Sequence, residues 1–280
     1  MDSLVSTEWL ARELGASDLL ILDASYHLAD ARRDAAAEFE SGHIPGAQFL
    51  DLAGMAEPTS PIDNTMPSLA HFTDRMERLG LTASSRVVVY DDSAIRSATR
   101  AWYMLRMFGL RDVTVLDGGL GKWKAEGRPL EFGPATGATG GFEARRDAAK
   151  LRSKAEVLTN LTQPREQLVD ARGAGRFTGA EEESRPGLAS GHIPGSLHLH
   201  YARLYRPDGT LKSEGELREA FIAAGVDLAR PVVTTCGSGM TACILAFALH
   251  RLGKKDVALY DGSWTEWGAD PATPKAIGPA

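Results

Sequence analysis

Ser190-Gly191-His192-Ile193-Pro194-Gly195 repeats, residue for residue, the stretch Ser41-Gly42-His43-Ile44-Pro45-Gly46 that stands 149 positions earlier. Three further matches flank it in the same order. Leu22-Asp23-Ala24 is echoed by Val169-Asp170-Ala171, and Val87-Val88-Val89-Tyr90-Asp91 by Val232-Val233-Thr234-Thr235-Cys236. Leu116-Asp117-Gly118-Gly119 is echoed by Tyr260-Asp261-Gly262-Ser263, with Trp123 and Trp267 in register. Ordered self-similarity of this kind marks a repeated structural unit. The chain reads as two copies of one domain, 1–135 and 153–280. A linker is expected at 136–152, in a stretch rich in Gly, Ala and Thr with little periodicity.

Within each copy, short β-branched runs alternate with helical patterns. In the first, strands are expected at Leu19–Asp23, Gln48–Leu50, Arg86–Tyr90 and Val113–Leu116. Helices are expected at Ser6–Leu14, at Leu69–Leu79 between Ser68 and Gly80, and at Ala94–Phe108 before Gly109. The second copy repeats the alternation, and Ser213-x-x-Glu216 has the form of a capping box. The implied class is α/β, a mainly parallel sheet with helices on both faces of each domain. In His-Ile-Pro-Gly, proline fixes φ, glycine permits positive φ and the histidine can tie down the turn. Because the motif serves both copies alike, His43 and His192 read as scaffold.

With 43% hydrophobic and 24% charged residues, the composition is that of a soluble globular protein. A net charge of -6 argues against nucleic acid or an anionic membrane as partner. No signal-like or membrane-length apolar run is seen. Two cysteines exclude a disulfide framework and fit a reducing, cytoplasmic setting.

The copies differ at one telling place. Pro231–Thr235 reads as a buried strand and Ala242–Leu252 as a helix, and Cys236-Gly237-Ser238-Gly239-Met240-Thr241 joins them. The backbone N–H groups of Gly237, Ser238, Gly239, Met240 and Thr241 can converge on one anion, and the helix N-terminus adds partial positive charge. Both favour a nucleophilic thiolate. A cysteine at a strand end can equally be an inert small hydrophobe, but a packed core cysteine needs no glycines after it. Cys243, on the apolar helix face, reads as core. The first copy has Asp91 in place of Cys236, so it is expected to be non-catalytic. Arginines 172, 176 and 185 follow the first strand of the cysteine-bearing copy, with Glu181-Glu182-Glu183 among them. They could be solvated charge or partners of that acidic run. Their place beyond a parallel strand's carboxyl end favours ligand binding.

The duplicated Ser-Gly-His-Ile-Pro-Gly, the Tyr-Asp-Gly-Ser-Trp near the C-terminus and the Cys236 loop resemble the two-domain rhodanese-like sulfurtransferases, over essentially the whole chain. The uncharged Gly237-Ser238 is similar to the branch that takes sulfur from 3-mercaptopyruvate; thiosulfate-using members usually carry Arg-Lys there. The resemblance implies that Cys236 becomes a persulfide and passes its sulfur to a thiol acceptor such as thioredoxin, or to cyanide. It implies that Arg176 and Arg185 grip the α-keto acid, and that neither metal nor organic cofactor is needed. Where many such enzymes carry proton-relay residues, this chain has Ala53 and Asn64, so Ser238 is expected only to donate a hydrogen bond. Rival expectations are thiosulfate as donor, or a sulfur-relay module with negligible turnover. A phosphatase loop would need arginine where Ala242 stands.

Overall fold

The computed structural model describes residues 1–135, 137 and 139–280. Its described residues divide into two compact units, each taking a short segment from elsewhere in the sequence. The first comprises Met1–Pro58, Met66–Asp147 and Arg206–Leu211; the second comprises Thr59–Thr65, Ala148–Tyr205 and Lys212–Ala280. Thr136 and Ala138, inside the expected linker, lie outside the described residues. The rest of that linker divides between the units. Arg145 and Asp147 donate backbone N–H bonds to Phe108 and Met107, while Leu151–Arg152 forms a strand of the second sheet. Composition marked this stretch as irregular, but not that its backbone is bonded.

The first unit holds a five-stranded parallel sheet in the order β1-β5-β4-β2-β3: β1 Leu4–Val5, β2 Leu19–Asp23, β3 Ala47–Phe49, β4 Arg86–Tyr90 and β5 Val113–Leu116. Its helices are α1 Thr7–Glu13, α2 Ala35–Glu40, α3 Leu69–Arg78, α4 Ala98–Met107 and α5 Gly119–Ala125. The second unit repeats the plan as β6-β10-β9-β7-β8: β6 Leu151–Arg152, β7 Gln167–Asp170, β8 Leu197–His198, β9 Val232–Thr235 and β10 Val257–Tyr260. Its helices are α6 Lys154–Thr162, α7 Ala174–Thr178, α8 Glu214–Ala223, α9 Ala242–Arg251 and α10 Ser263–Trp267. Central strands such as Val232–Thr235 are buried on both faces, as a helix-covered parallel sheet requires.

Local chemistry accounts for the helix starts. Ser6 and Ser68 accept N–H bonds from Trp9 and His71, and Ser153 and Ser213 close capping boxes with Glu156 and Glu216. Helix α4 begins at Ala98, not at Ala94 as the periodicity suggested. The Asp91 carboxylate accepts the N–H groups of Ser93 and Ala98, holding the intervening residues as a loop. Both His-Ile-Pro-Gly turns are tied alike. His43 Nδ1 meets Phe39 O and His192 Nδ1 meets Phe177 O, each at 2.8 Å, and each ring stacks on that phenylalanine. Trp123 and Trp267 are fully buried at matching places, and their Nε1 groups donate to Pro129 O and Pro274 O.

Burial raises the carboxyls of Asp23, Asp91 and Asp117 in the first unit above the usual range; Asp91 is pushed up to about 6 from an ordinary 3.8, against the lowering pull of its two N–H bonds. A folded-state value above the unfolded one means that the native protein holds this proton longer. The associated stability is complete below about pH 4 and is lost as pH rises through about 6. The gap between the wild-type protein and Asp91→Asn, measured by urea unfolding at pH 4.5 and 7.5 (about three pH units apart), should therefore shift in the variant's favour with rising pH. The expected shift is on the order of 2 kcal/mol. A gap independent of pH would mean that Asp91 does not titrate in this window.

Candidate active site

Cys236 stands one residue beyond β9, at the carboxyl end of the second sheet, and is 2% exposed. The loop turns through Gly239, whose φ of 75° favours a residue without a Cβ, and enters α9 at Ala242. The segment opening α10 grips this loop. Trp264 N donates to Cys236 O, and Thr265 N and Oγ1 both donate to Gly237 O. Ser263 Oγ accepts the N–H groups of Cys236 at 3.3 Å and Gly239 at 3.1 Å, and donates to Tyr260 O. Of the five cradle residues expected from sequence, Gly239 thus commits its amide to Ser263. The N–H groups of Gly237, Ser238, Met240 and Thr241 are committed to no partner among the described residues, and Ser238 and Met240 are buried. Cys243 lies fully buried on α9 with Sγ donating to Gly239 O at 3.3 Å, a core residue that also steadies the loop. Both cysteines are free thiols.

The arginines form a graded set. Arg172 is buried, salt-bridged to Asp170 at 2.8 Å and Glu183 at 2.6 Å, and stacked over Trp264 at 4.4 Å. Burial opposes its charge, but the two carboxylates outweigh that and hold its pKa above the ordinary arginine value. Glu183, with its side chain 1% exposed, also accepts from Arg176 Nε at 3.0 Å and Nη2 at 2.5 Å. Arg176 is one-third exposed, and its Nη2 would lie 3.1 Å from a Cβ placed on Gly237, so the guanidinium rests against the loop. Arg185, also one-third exposed, donates from Nη1 to Thr265 Oγ1 at 2.7 Å and meets Asp63 at 3.6 Å. The second unit therefore brings Cys236, Arg176 and Arg185 into one constellation. The acidic run is not spectator charge: its third member, Glu183, is the buried hinge of the arginine pair. Asn64 falls in the segment that belongs to this unit, and Ala53 in the other.

The first unit has the same frame with different chemistry. Leu120 N donates to Asp91 O, as Trp264 N does to Cys236 O. Its strand ends open on a cavity of about 180 Å³ lined by Asp23, Ser25, Arg33, Glu38, Asp92 and Lys124 among others. In the second unit Arg172 stands at the position of Ser25, and Trp264 at that of Leu120.

Comparison with known families matches the rhodanese-like domain twice, at residues 6–126 and 153–270. The chain belongs to the rhodanese-like family. Human 3-mercaptopyruvate sulfurtransferase is 43% identical to it over 95% of this chain and 91% of the relative. Thiosulfate sulfurtransferase of Cricetulus griseus is 42% identical, with the same two coverages. Among solved structures, SseA from Escherichia coli, described with the 3-mercaptopyruvate sulfotransferases, superposes with a TM-score of 0.86 at 35% identity, covering 94% of this chain and 99% of that one. The two copies expected from the internal repeat are thus two rhodanese-like domains, as the resemblance implied.

Sequence reasoning missed the grip from α10 in this rhodanese-like chain. Ser263 was matched only as part of a repeat, and Thr265 not at all. The signal lay in the same comparison that exposed Cys236: the first copy has Gly119 and Gly121 where the second has Ser263 and Thr265.

Proposed function

We propose that the protein is a 3-mercaptopyruvate sulfurtransferase in which Cys236 is the nucleophile. The observation that carries this reading is the pairing of an uncharged Cys236 loop with two half-open arginines, Arg176 and Arg185, set around it. An α-keto acid presents a carboxylate and a carbonyl oxygen, and arginine forks suit both. The Cys236 thiolate attacks the donor's sulfur. The carbon–sulfur bond breaks, and its electron pair becomes the enolate of pyruvate, which takes a proton. The enzyme is left as a Cys236 persulfide. The N–H groups of Gly237, Ser238, Met240 and Thr241 stabilise the anion before and after transfer. Arg176 and Arg185 hold the carboxylate and offset the enolate charge. A thiol acceptor, or cyanide, then attacks the outer sulfur and restores the thiolate. Ser238 contributes a hydrogen bond, with no relay through Ala53 or Asn64.

The acceptor in this proposal is a dithiol protein of the thioredoxin kind, and the setting is a reducing compartment such as the cytoplasm, where the thiol stays available. Among the described residues no helix is long and apolar enough to cross a membrane. The second reading, thiosulfate as donor, is favoured by the thiosulfate sulfurtransferases that match at 42% identity.

Measuring kcat/KM for both donors in one buffer separates the two. The expected result is a preference for 3-mercaptopyruvate of about a hundredfold, some 2.7 kcal/mol at the transition state. A preference for thiosulfate would transfer the assignment to the second reading.

A further inference from the structure

We propose that Ser263 and Thr265 are positioning residues: the Ser263 hydroxyl sets the Cys236 loop, and the Thr265 hydroxyl ties Arg185 to that loop. The proposal rests on the reading of Cys236 as the nucleophile and extends it to the segment opening α10, which grips the Cys236 loop. Ser263 is fully buried and sits at a φ of 50°, in the left-handed region that costs a residue with a Cβ about 1 kcal/mol or more. Its counterpart Gly119 has a φ of 57°, so the backbone turn is common to both units and glycine is the unstrained choice for it. A serine held there needs a return, and the hydroxyl supplies one. It receives the N–H groups at both ends of the tight turn, Cys236 and Gly239, and anchors to Tyr260 O. Drawing those two amides to one side leaves the amides of Gly237, Ser238, Met240 and Thr241 to face an anion.

Thr265 makes a different link. Its Oγ1 accepts from Arg185 Nη1 at 2.7 Å and donates to Gly237 O at 2.7 Å, so the guanidinium and the loop share one hydroxyl. The counterpart Gly121 can offer no such link. Both hydroxyls occur in the copy that carries the cysteine, and in the other copy glycines stand at both places.

Ser263→Gly and Thr265→Val, compared with the wild-type protein, test this. Glycine suits the backbone at 263, so the thermal midpoint of Ser263→Gly should hold or rise. Its kcat with 3-mercaptopyruvate should fall about tenfold or more, with KM within about twofold. The pH profile for alkylation of Cys236 by iodoacetamide, located by peptide mapping, should move alkaline. A purely structural role would lower the midpoint and leave that profile in place. Thr265→Val should raise KM by roughly fivefold and change kcat less. A Ser263→Gly enzyme with wild-type kcat and alkylation profile would overturn the role of Ser263, and an unchanged KM in Thr265→Val that of Thr265. A wild-type protein that transfers sulfur from neither donor would instead bring down the functional reading, and this proposal with it.

Discussion

Cys236→Ser is expected to abolish sulfur transfer, leaving less than about a thousandth of the wild-type kcat with either donor. The hydroxyl has nearly the volume of the thiol, so the loop bonds from Ser263, Trp264 and Thr265 to residues 236–239 have no reason to change. What is lost is the sulfur nucleophile, the atom that can form a sulfur–sulfur bond. Intact mass after exposure to 3-mercaptopyruvate gives the direct reading: the wild-type protein gains one sulfur atom and the variant none. Residual transfer within tenfold of wild type would mean that another group carries the sulfur, with Cys243 the first to be tested.

Glu183→Ala is expected to have the largest effect on stability, and a second effect on binding. Its carboxylate bridges a buried arginine and a half-open one. Truncation leaves Arg172 buried with Asp170 as its remaining carboxylate partner, and breaking one side of a buried charge network costs about 3–5 kcal/mol. In a unit of this size the thermal midpoint should fall by on the order of 10 °C. Arg176 also loses the acceptor that holds Nε and Nη2 in place, so KM for 3-mercaptopyruvate should rise more steeply than kcat falls. Glu183→Gln, which keeps the shape and one acceptor, should recover part of both losses. A variant with an unshifted midpoint would show that the network contributes no net stability. An unshifted KM would detach Glu183 from substrate binding.

The sequence carried the parts of this protein that repeat and the parts that break the repeat. The strands at Leu19–Asp23, Arg86–Tyr90 and Val113–Leu116 were legible because β-branched runs bounded by turn residues leave few other readings. The two-residue strands Leu4–Val5 and Leu151–Arg152 were not, since two residues show no period. Cys236 stood out through its glycines and through Asp91 opposite it. The arginines were visible but could not be ranked. Arg172 becomes structural and Arg176 half-open only once folding sets Glu183 between them. The exchange of Thr59–Thr65 and Arg206–Leu211 between the units left no mark in composition, because such segments are defined by what they pack against.

The Asp91 loop bears on how such a chain can change over evolutionary time. Its carboxylate fills its own loop from within, taking the N–H groups of Ser93 and Ala98, and the loop is one residue longer than the one after Cys236. Placing cysteine at 91 would therefore not by itself reproduce the arrangement of the Cys236 loop. The amides would have lost the anion that organises them, and Gly119 and Gly121 offer no hydroxyl to reorganise them. A shorter loop and a serine at the left-handed turn, where Gly119 now has a φ of 57°, would be needed as well. If sulfur transfer rests on Cys236 as proposed, giving the first half the same chemistry would take several coordinated changes, and the difference between the halves is easier to keep than to undo.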